Sequence, residues 1–423
     1  MSSPQPPARA RAPHGWLQAL VAVAAAVVAA AVTAALGVWA AGAGGLPGGA
    51  YPRVVAAVMV LAFGGSVDLS GDAGPLGETR AVLHVRPLSV TLAAALALAR
   101  GFLRPLRHRA VTAGRELLGW AARTAALWTL VLIALAAYAR QTFAIEPGGV
   151  VSDIGELFGT TPHAGFRADV PRTLFLGLVW VAILLLLSLV VSRGAPLPAR
   201  LLRFQAPVRP AAYAMVVLLL GCVAVGVIAG LVVAATRGHP AETFAVILLG
   251  VPNLVWLALT LGLGASWDGT AEGPFGLPMP RLLDLVVRTP GGGTLNLRTL
   301  AEHDARVWWL LAGAAVLVLG AAVLMAVRSP ASMPAWEHAA RMAVALTLTV
   351  LVICLIVPVD ASFGLSLLGI GDLGGALGAK VALTPHLWPA LGLALVWGAV
   401  TGFLGALIAG PVRRRGEAGA RGQ

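Results

Sequence analysis

The chain is a succession of apolar segments, several of them as long as a lipid bilayer is thick. Hydrophobic residues make up 58% of its 423 residues and charged residues 11%, whereas soluble domains are about 45–50% apolar and about 25% charged. A bilayer core about 30 Å thick needs roughly 20 apolar residues in a helix. The composition therefore excludes an ordinary soluble domain, a coiled coil and a disordered chain, and it predicts a protein embedded in lipid.

Eight apolar segments are long enough to cross the bilayer as helices. They are 16–41, 86–103, 118–140, 170–192, 211–235, 307–327, 339–358 and 387–410. Two further segments are awkward: 53–67 is short and ends at a Gly-Gly pair, and 243–265 holds Pro252 in its middle, where proline removes a backbone hydrogen bond. The prediction is an all-α polytopic membrane protein with eight full transmembrane helices plus two broken or re-entrant segments.

The N-terminus leaves two interpretations open. Residues 1–15 are rich in Pro, Ala and Arg, and we expect them to be disordered. Arg9 and Arg11 before an apolar run resemble a signal peptide, but the apolar core of such a peptide is only 7–15 residues long. The much longer segment 16–41 favours a retained membrane helix.

The charges of the loops predict the topology. If the two awkward segments do not cross, one side of the membrane carries 18 basic and 3 acidic residues, and the other carries 12 basic and 15 acidic. If both crossed, the basic residues would divide 14 to 16. Because basic loops stay in the cytoplasm, the first count favours eight spans in the cytoplasmic membrane with both termini cytoplasmic. The net charge of +12 lies in these loops, so the predicted partner is the bilayer and not nucleic acid; a protein partner stays open.

The two halves of the chain echo each other. Gly65-Ser66-Val67-Asp68 resembles Ala265-Ser266-Trp267-Asp268 at an offset of 200, and later echoes follow at offsets of 217 to 223. These later pairs are Ala121-Ala122-Arg123 with Ala339-Ala340-Arg341, Ser152-Asp153-Ile154-Gly155 with Gly371-Asp372-Leu373-Gly374, Thr161-Pro162-His163 with Thr384-Pro385-His386, and Leu178-Val179-Trp180 with Leu395-Val396-Trp397. Ordered echoes of this kind indicate a two-fold internal repeat, and four spans per copy make the copies parallel.

The predicted organisation follows from the repeat. It comprises a disordered N-terminus (1–15), membrane repeat 1 (16–192), a basic linker (193–210), membrane repeat 2 (211–410) with an outer-loop insertion at 266–306, and a basic cytoplasmic tail (411–423).

Several motifs resemble the streptophobe family of very hydrophobic actinobacterial membrane proteins. They are Gly64-Gly65-Ser66-Val67, Pro87-Leu88-Ser89-Val90-Thr91-Leu92, Gly165-Phe166-Arg167-Ala168-Asp169-Val170, Val208-Arg209-Pro210-Ala211-Ala212, Gly250-Val251-Pro252-Asn253-Leu254-Val255-Trp256, Trp267-Asp268-Gly269 and Asp304-Ala305-Arg306-Val307-Trp308. The resemblance covers roughly residues 16–410. It implies a membrane location and a shared fold, and it transfers no activity, ligand or catalytic residue.

Motifs of enzymes and metal sites are mostly missing from the sequence. The only lysine, Lys380, does not stand in a nucleotide-binding loop, and Glu337-His338 has no second histidine one turn later. Cys222 and Cys354 each lie inside an apolar run, which predicts core residues and neither a disulfide nor a metal site. We therefore expect no enzymatic activity, no catalytic residue, no cofactor and no bound metal.

The two awkward segments predict the best candidate site. Helix ends near mid-membrane expose backbone groups, and in transporters such ends bind substrate or ion. Asp68 and Asp268 directly follow the two segments, and Asn253 lies beside Pro252. The alternative is a re-entrant packing element with solvated aspartates at its rim.

Two further pairs of ionisable residues stay open between structural and functional roles. Arg123 and Arg341 lie a few residues inside equivalent spans, where an ion suggests function, but both are close enough to the headgroups to snorkel. Asp153 and Asp372 occupy matching positions in outer loops, where they either cap short interfacial helices or form a paired gate or ion site.

The leading functional hypothesis is a transporter-like or permease-like protein that moves a small solute or ion between two equivalent halves. The alternative is a non-transporting membrane scaffold or sensor of the cell envelope. An intramembrane enzyme is the third and least favoured hypothesis, because no nucleophile, metal cluster or carboxylate pair stands within a span.

Overall fold

A computed structural model of the chain provides the fold. It describes residues 15–46, 49–72, 78–104, 114–144, 163–192, 199–236, 238–272, 287, 293–330, 332–366 and 379–420. The helices are α1 (Trp16–Ala40), α2 (Ala50–Ala62), α3 (Leu88–Leu103), α4 (Gly114–Tyr138), α5 (Val170–Val191), α6 (Ala199–Thr236), α7 (Pro240–Gly262), α8 (Leu297–Ala301), α9 (Trp308–Arg328), α10 (Ala335–Ile356) and α11 (Leu387–Ala420), with single 3₁₀ turns at Ala43–Gly45 and Ala305–Val307.

Eight helical stretches of the described chain are long and apolar enough to cross a membrane. This confirms the prediction of a polytopic helical membrane protein. Seven of them coincide with predicted spans, whereas the predicted span 86–103 is the 16-residue helix α3. The eighth long stretch is α7, which covers the segment 243–265 that was predicted to be broken.

Helix α7 is continuous through Pro252, so the prediction that Pro252-Asn253 interrupts it is wrong. Proline leaves a carbonyl of the preceding turn without its helical N–H donor. In that turn the carbonyl of Ile247 accepts a hydrogen bond from Ser89 Oγ at 2.8 Å. The carbonyl that Pro252 leaves without a donor is that of Leu248, so Ser89 does not replace the lost bond; it ties α3 to α7 one residue earlier.

The structure also contains a β-sheet, which the all-α description does not include. The strands are β1 (Val67–Asp72), β2 (Glu78–His84), β3 (Arg140–Ala144), β4 (His163–Ala168), β5 (Trp267–Glu272), β6 (Gly293–Leu295), β7 (Val359–Ser366) and β8 (Ala379–Pro385). They form one antiparallel eight-stranded sheet in the order β3-β4-β1-β2-β7-β8-β5-β6. All of these strands come from segments that join helix ends, so those ends lie on one side of the membrane, here called the sheet side.

The sheet has an apolar face and a polar face. One register row across four strands runs through Val67, Leu83, Ala361 and Val381, all of them buried or half-buried. Because side chains alternate along a strand, the neighbouring positions face the other way. These include exposed residues such as Asp68, Arg140, Arg167, Asp360 and Thr384. The alternation explains the sheet: its apolar face packs on the helices, and its polar face is available to water.

Helix α7 begins and ends on the sheet side. The preceding helix α6 starts on the opposite side, where the Pro207 carbonyl accepts from Arg341 near the start of α10. From Pro207 to Thr236 the helix rises about 44 Å, more than a bilayer core. Helix α7 therefore starts on the sheet side, and it ends only four residues before strand β5 of the same sheet. Both ends of α7 thus lie beside the sheet, which favours re-entry over crossing for segment 243–265.

The first half repeats this course. Gly101 lies near the end of α3 that points away from the sheet, and an added Cβ there would meet Ala22, near the start of α1. Helix α1 therefore begins on the side opposite the sheet. Helix α2 then ends at Ala62, and strand β1 begins five residues later at Val67. The Phe63 ring contacts Trp180, which lies ten residues, or about 15 Å, inside α5. The turn after α2 packs against the first two turns of α5, since added Cβ atoms at Gly64 and Gly65 would meet Leu176 and Thr173. Helix α2 thus ends near the sheet side, and the chain turns back there.

The basic linker predicted at 193–210 is largely helical. Its residues from Ala199 onward form the first turns of α6, which continues to Thr236 without interruption. Helices elsewhere approach very closely at glycine. An added Cβ would lie 2.5 Å from Ala343 Cα at Gly398, and 2.7 Å from Met342 Cβ at Gly402. The contact of α10 with α11 therefore depends on these two small residues.

Candidate functional site

A cavity of about 540 Å³ lies between the two re-entrant helices and the apolar face of the sheet. Its walls are Val58 and Leu61 of α2 and a long stripe of α7, and its roof includes Leu83 of β2 and Leu383 of β8. The remaining lining residues are Ala41, Val85, Arg86, Pro87, Glu242, Ala245, Val246, Leu249, Gly250, Asn253, Leu254, Leu257, Val287, Leu295, Val357, Val359, Val381 and Ala382. Both halves of the chain thus contribute to one space, of a size that accommodates small ligands.

Asn253 lines this cavity, but its amide is engaged with the backbone of the other half. Its Nδ2 donates to the Arg86 carbonyl at 2.8 Å, and its Oδ1 accepts from the Leu88 N–H at 3.1 Å. Leu88 is the first residue of α3, where backbone N–H groups have no helical partner. Asn253 therefore anchors the start of α3 to α7. Both atoms of its amide are used in this contact and not in holding a ligand.

Both re-entrant helices end in the same turn. After α2, the Gly65 N–H donates to the Val60 carbonyl and the Gly64 N–H to the Leu61 carbonyl, each at 3.0 Å. After α7, the Ala265 N–H donates to Thr260 at 3.0 Å and the Gly264 N–H to Leu261 at 2.8 Å. This pair of bonds is the Schellman motif, which places its penultimate residue in the left-handed region.

The left-handed residue is a glycine in each turn. Gly64 has φ +92° and Gly264 has φ +93°, a conformation that other residues adopt only with strain. The Gly-Gly pair that made segment 53–67 look broken is thus the helix stop itself.

Side chains satisfy further carbonyls at the two helix ends. Thr91 Oγ1 donates to the Ala62 carbonyl at 2.7 Å, and Trp397 Nε1 donates to the Leu263 carbonyl at 3.1 Å. Trp267 Nε1 donates to Thr260 Oγ1 at 3.0 Å. The backbone groups that were expected to attract a solute or ion are therefore largely bonded within the protein. This geometry favours the re-entrant packing element that the sequence left as an alternative.

Asp68 and Asp268 lie at corresponding places but do not meet. Each is the second residue of its strand, β1 or β5. In the order of the sheet these strands are four positions apart, which is about 19 Å along the sheet at the usual strand spacing. Both carboxylates are exposed on the polar face. One ion held between the two aspartates is therefore incompatible with this arrangement.

Asp68 belongs to a cluster of charges at the junction of the two halves. His84 Nε2 lies 2.8 Å from Arg172 Nη1, and His84 stands opposite Asp360 in the register of β2 and β7. Burial lowers the pKa of His84, the charge of Arg172 lowers it further, and Asp360 and Asp68 oppose that shift.

Arg86 completes this cluster from the segment that joins β2 to α3. Its Nη1 donates to the Leu355 carbonyl, in the last turn of α10, at 2.9 Å. Burial and the neighbouring Arg172 both lower the pKa of Arg86. A half-buried cation at a helix C-terminus interacts favourably with the helix dipole, so Arg86 ties the first half of the chain to the second.

Asp268 has a different environment. Its Oδ2 lies 2.7 Å from His386 Nε2, and its Oδ1 accepts from Thr294 Oγ1 at 3.1 Å. About half of each side chain in the Asp268–His386 pair is exposed, so water competes with the interaction. The pair joins β5 to the start of α11 and does not face the cavity, because Asp268 is on the polar face.

Arg123 and Arg341 lie on the side opposite the sheet, near helix starts. The Arg341 guanidinium pairs with Glu337 one turn earlier and donates to the Pro207 carbonyl at 3.1 Å. The Arg123 guanidinium lies 6.0 Å from the ring centre of Trp16, the first residue of α1. Both contacts join neighbouring helices at their ends, which agrees with the anchoring interpretation. Asp153 and Asp372 lie outside the described residues.

Sequence reasoning did not single out Arg86, His84, Arg172, Asp360 or His386. Arg86 stood at the edge of a predicted span and counted only as a boundary charge, His386 appeared only within a sequence echo, and the others belong to no motif. The available signal was that ionisable residues recur within a few positions of helix ends on the sheet side. Without the strand pairing, nothing in the sequence brings them together.

No family model, no curated protein and no solved structure matches the chain. In the part of the chain that the structure describes, no group of three His, Cys, Asp or Glu side chains is placed to hold a metal ion.

Proposed function

We propose that this chain is a non-enzymatic integral protein of the cytoplasmic membrane, related to the streptophobe family, that moves a small solute between two like-oriented halves. The observation that carries the proposal is the cavity between α2 and α7, because each half supplies one re-entrant wall. Sites between halves that move against each other are typical of secondary transporters.

A duplication of the chain is part of the proposal. The sheet order divides into β3-β4-β1-β2 and β7-β8-β5-β6, which is the same order of corresponding strands in each half. The matched Schellman turns, and the placement of Phe63 against Trp180 and of Leu263 against Trp397, support it. All eight strands share one side of the membrane, as parallel copies require.

The orientation is proposed from the same charge count as before. Segments opposite the sheet hold 18 of the 30 basic residues and 3 of the 18 acidic ones. By the positive-inside rule, the sheet then lies outside the cell and both termini lie inside. A probe that cannot permeate should therefore fail to label a cysteine at position 333 from outside.

Locking the halves together tests the transport proposal. Leu83 and Ala361 are register partners across the junction of β2 with β7, and paired strand residues are close enough for a disulfide. Cysteines at both positions, with Cys222 and Cys354 replaced by alanine, should block flux when oxidised and restore it when reduced. The control pair is Val67 with Leu83, which links two strands of one half.

Flux is measured in proteoliposomes for ions, sugars, amino acids and a fluorescent short-chain phospholipid in turn. We expect one class to move faster than in empty liposomes, and only the lock across the halves to stop it. Flux that never exceeds that of empty liposomes, or that survives the lock, contradicts transport.

The scaffold or envelope-sensor alternative has one observation in its favour. The polar face of the sheet exposes Asp68, Arg140, Arg167, Asp360 and Thr384 on one side of the membrane, as a surface for a soluble partner would. Replacing Arg140 and Arg167 by alanine should then remove a partner recovered in mild detergent while leaving the fold intact. If the same partners are recovered from both proteins, this face is not the binding surface.

A further inference from the structure

The cavity between α2, α7 and the sheet is lined almost entirely by apolar side chains. Of its 22 lining residues, three have polar side chains: Arg86, Glu242 and Asn253. Two of the three are bonded to the protein backbone. Asn253 holds the backbone of Arg86 and Leu88, and the Arg86 guanidinium donates to the Leu355 carbonyl.

Glu242, the third polar residue, is in the first turn of α7 and its side chain is 80% exposed. It therefore lies at the mouth of the cavity. Ala41, which follows α1, is the other exposed lining residue. Both belong to helix ends on the sheet side, so the cavity opens where the headgroups of one leaflet meet water.

An ion, a sugar or an amino acid would lose its hydration in such a space and find few partners there. Desolvated polar groups without hydrogen bonds are costly, whereas alkyl groups gain from leaving water. The helices are long and apolar enough to lie in a bilayer, so the phospholipids of the sheet-side leaflet are the nearest source of alkyl chains. An alkyl chain is thus the occupant that fits this lining best.

We propose that this cavity binds the alkyl chain of a membrane phospholipid, which enters from the sheet-side leaflet and leaves its headgroup at the mouth near Glu242. The proposal rests on the function proposed above in one respect only, since it names the class of solute for that cavity. It replaces the ion site that Asp68 and Asp268 suggested, because those carboxylates lie on the opposite face of the sheet.

Gly250 provides a direct test. It lines the cavity, and a Cβ added there would meet no atom within 4 Å. The Cβ of a larger residue therefore has room there, and we expect Gly250→Phe to fill the cavity and Gly250→Leu to fill less of it. Gly320 of α9 is the control, because it is also helical and open to an added Cβ but does not line the cavity.

The full-length protein is placed in nanodiscs with a phosphatidylcholine that carries a photoactivatable diazirine in its acyl chain. We expect crosslinks to cavity residues such as Leu61, Leu249 and Leu254. Gly250→Phe should reduce them about tenfold, which is about 1.4 kcal/mol of binding, and Gly250→Leu should reduce them less. Gly320→Phe should leave them unchanged.

A competition experiment distinguishes binding of the lipid's acyl chain from binding of its headgroup. Unlabelled phosphatidylcholine should compete with the probe, whereas soluble glycerophosphocholine should not. Crosslinks confined to the outer surfaces of the helices, crosslinks that Gly250→Phe does not reduce, or competition by the soluble headgroup would each overturn the proposal. Because the assay measures binding, a positive result together with absent flux would reject transport and retain the lipid site.

Discussion

The two re-entrant helices share a backbone design and differ in the chemistry around it. Both α2 and α7 end in a Schellman turn at a glycine with φ near +92°. Around the first turn, Phe63 packs against Trp128 and Trp180, with ring centres 4.9 and 5.2 Å away. Around the second, Trp397 instead donates a hydrogen bond to the Leu263 carbonyl. The tryptophan on the facing helix thus packs against the first turn and bonds the second, whereas the side-chain hydrogen bond at the first helix end comes from Thr91.

The same contrast holds for the charges beside the turns. Asp68 joins a cluster that contains His84 and Arg172, whereas Asp268 pairs with His386 alone among its titratable neighbours in the described chain. The halves are alike where the chain must turn back inside the membrane, and they differ where side chains meet water. The features that the two halves share are therefore the helix ends and their turns, whereas the charged side chains beside those turns are not shared.

The largest expected effect concerns the link between the halves. Pro52-Arg53 on α2 is matched by Pro252-Asn253 on α7 at the offset of 200, but within the described residues the bond to the other half comes from Asn253 alone. Asn253→Leu leaves the Leu88 N–H and the Arg86 carbonyl without partners, at about 1–3 kcal/mol for each. We expect a clear loss in the free energy of unfolding in detergent micelles and faster amide exchange at the start of α3. Arg53→Leu is the matched control, and an equal loss there would contradict the asymmetry.

A second experiment gives the turn after α2 the alanine that the turn after α7 has at the corresponding position. An added Cβ at Gly65 would lie 2.5 Å from both Thr173 Oγ1 and Val60 Cγ1, whereas the second half already has Ala265 there. Overpacking of this kind costs about 1–3 kcal/mol, so we expect Gly65→Ala to lower the thermal unfolding temperature distinctly.

The rescue of Gly65→Ala follows from the same correspondence. Thr173 occupies the place that Ala390 has in the second half, since each donates its N–H to the residue before its helix. Adding Thr173→Ala should recover part of the lost stability. If the double variant is no more stable than Gly65→Ala, the two turns do not correspond at these positions.

Much of the helical architecture could be predicted from the sequence, because bilayer thickness sets the length of a spanning helix. Apolar length identified seven of the eight long helices, and the charge count identified the two segments that turn back. Pro252 misled the interpretation of α7, since the helix continues through it and Ser89 of α3 bonds the turn before it. Local sequence carries no information about that partner.

Neither the sheet nor the arrangement of the candidate site could be predicted from the sequence. Strands β3, β4, β7 and β8 have only five to eight residues each, and their alternation is short beside the long apolar helices. The residues matched by sequence echo, Asp68 and Asp268, proved to be far apart. Those that gather at the junction, such as His84 and Arg172, do so through strand pairing between distant segments.

A smaller effect separates the two ways of holding a re-entrant end. Trp397→Phe removes the donor to the Leu263 carbonyl inside the membrane and should cost about 1–3 kcal/mol in the free energy of unfolding. Trp180→Phe keeps an aromatic ring against Phe63 and should cost less. Both changes remove the same atoms, so the difference between them isolates the hydrogen bond. Equal losses would mean that the second end, like the first, depends on packing.

The smallest expected effect is a pH dependence confined to the first half. Because burial and Arg172 lower the pKa of His84 in the folded protein, the unfolded chain binds a proton more readily than the folded one. The contribution of neutral His84 to stability is then complete above its ordinary pKa of about 6.5 and decreases as the pH falls below it.

Thermal unfolding at pH 7.5 and 5.5 measures this dependence. We expect His84→Gln to lose part of the acid sensitivity of the wild-type protein, since glutamine can still accept a hydrogen bond from Arg172 but does not titrate. The change should be smaller than those of the three preceding experiments, because Asp360 and Asp68 oppose the shift and His84 is only half-buried. An unchanged acid sensitivity would place its origin elsewhere and remove the cluster at the junction as a distinguishing feature of the first half.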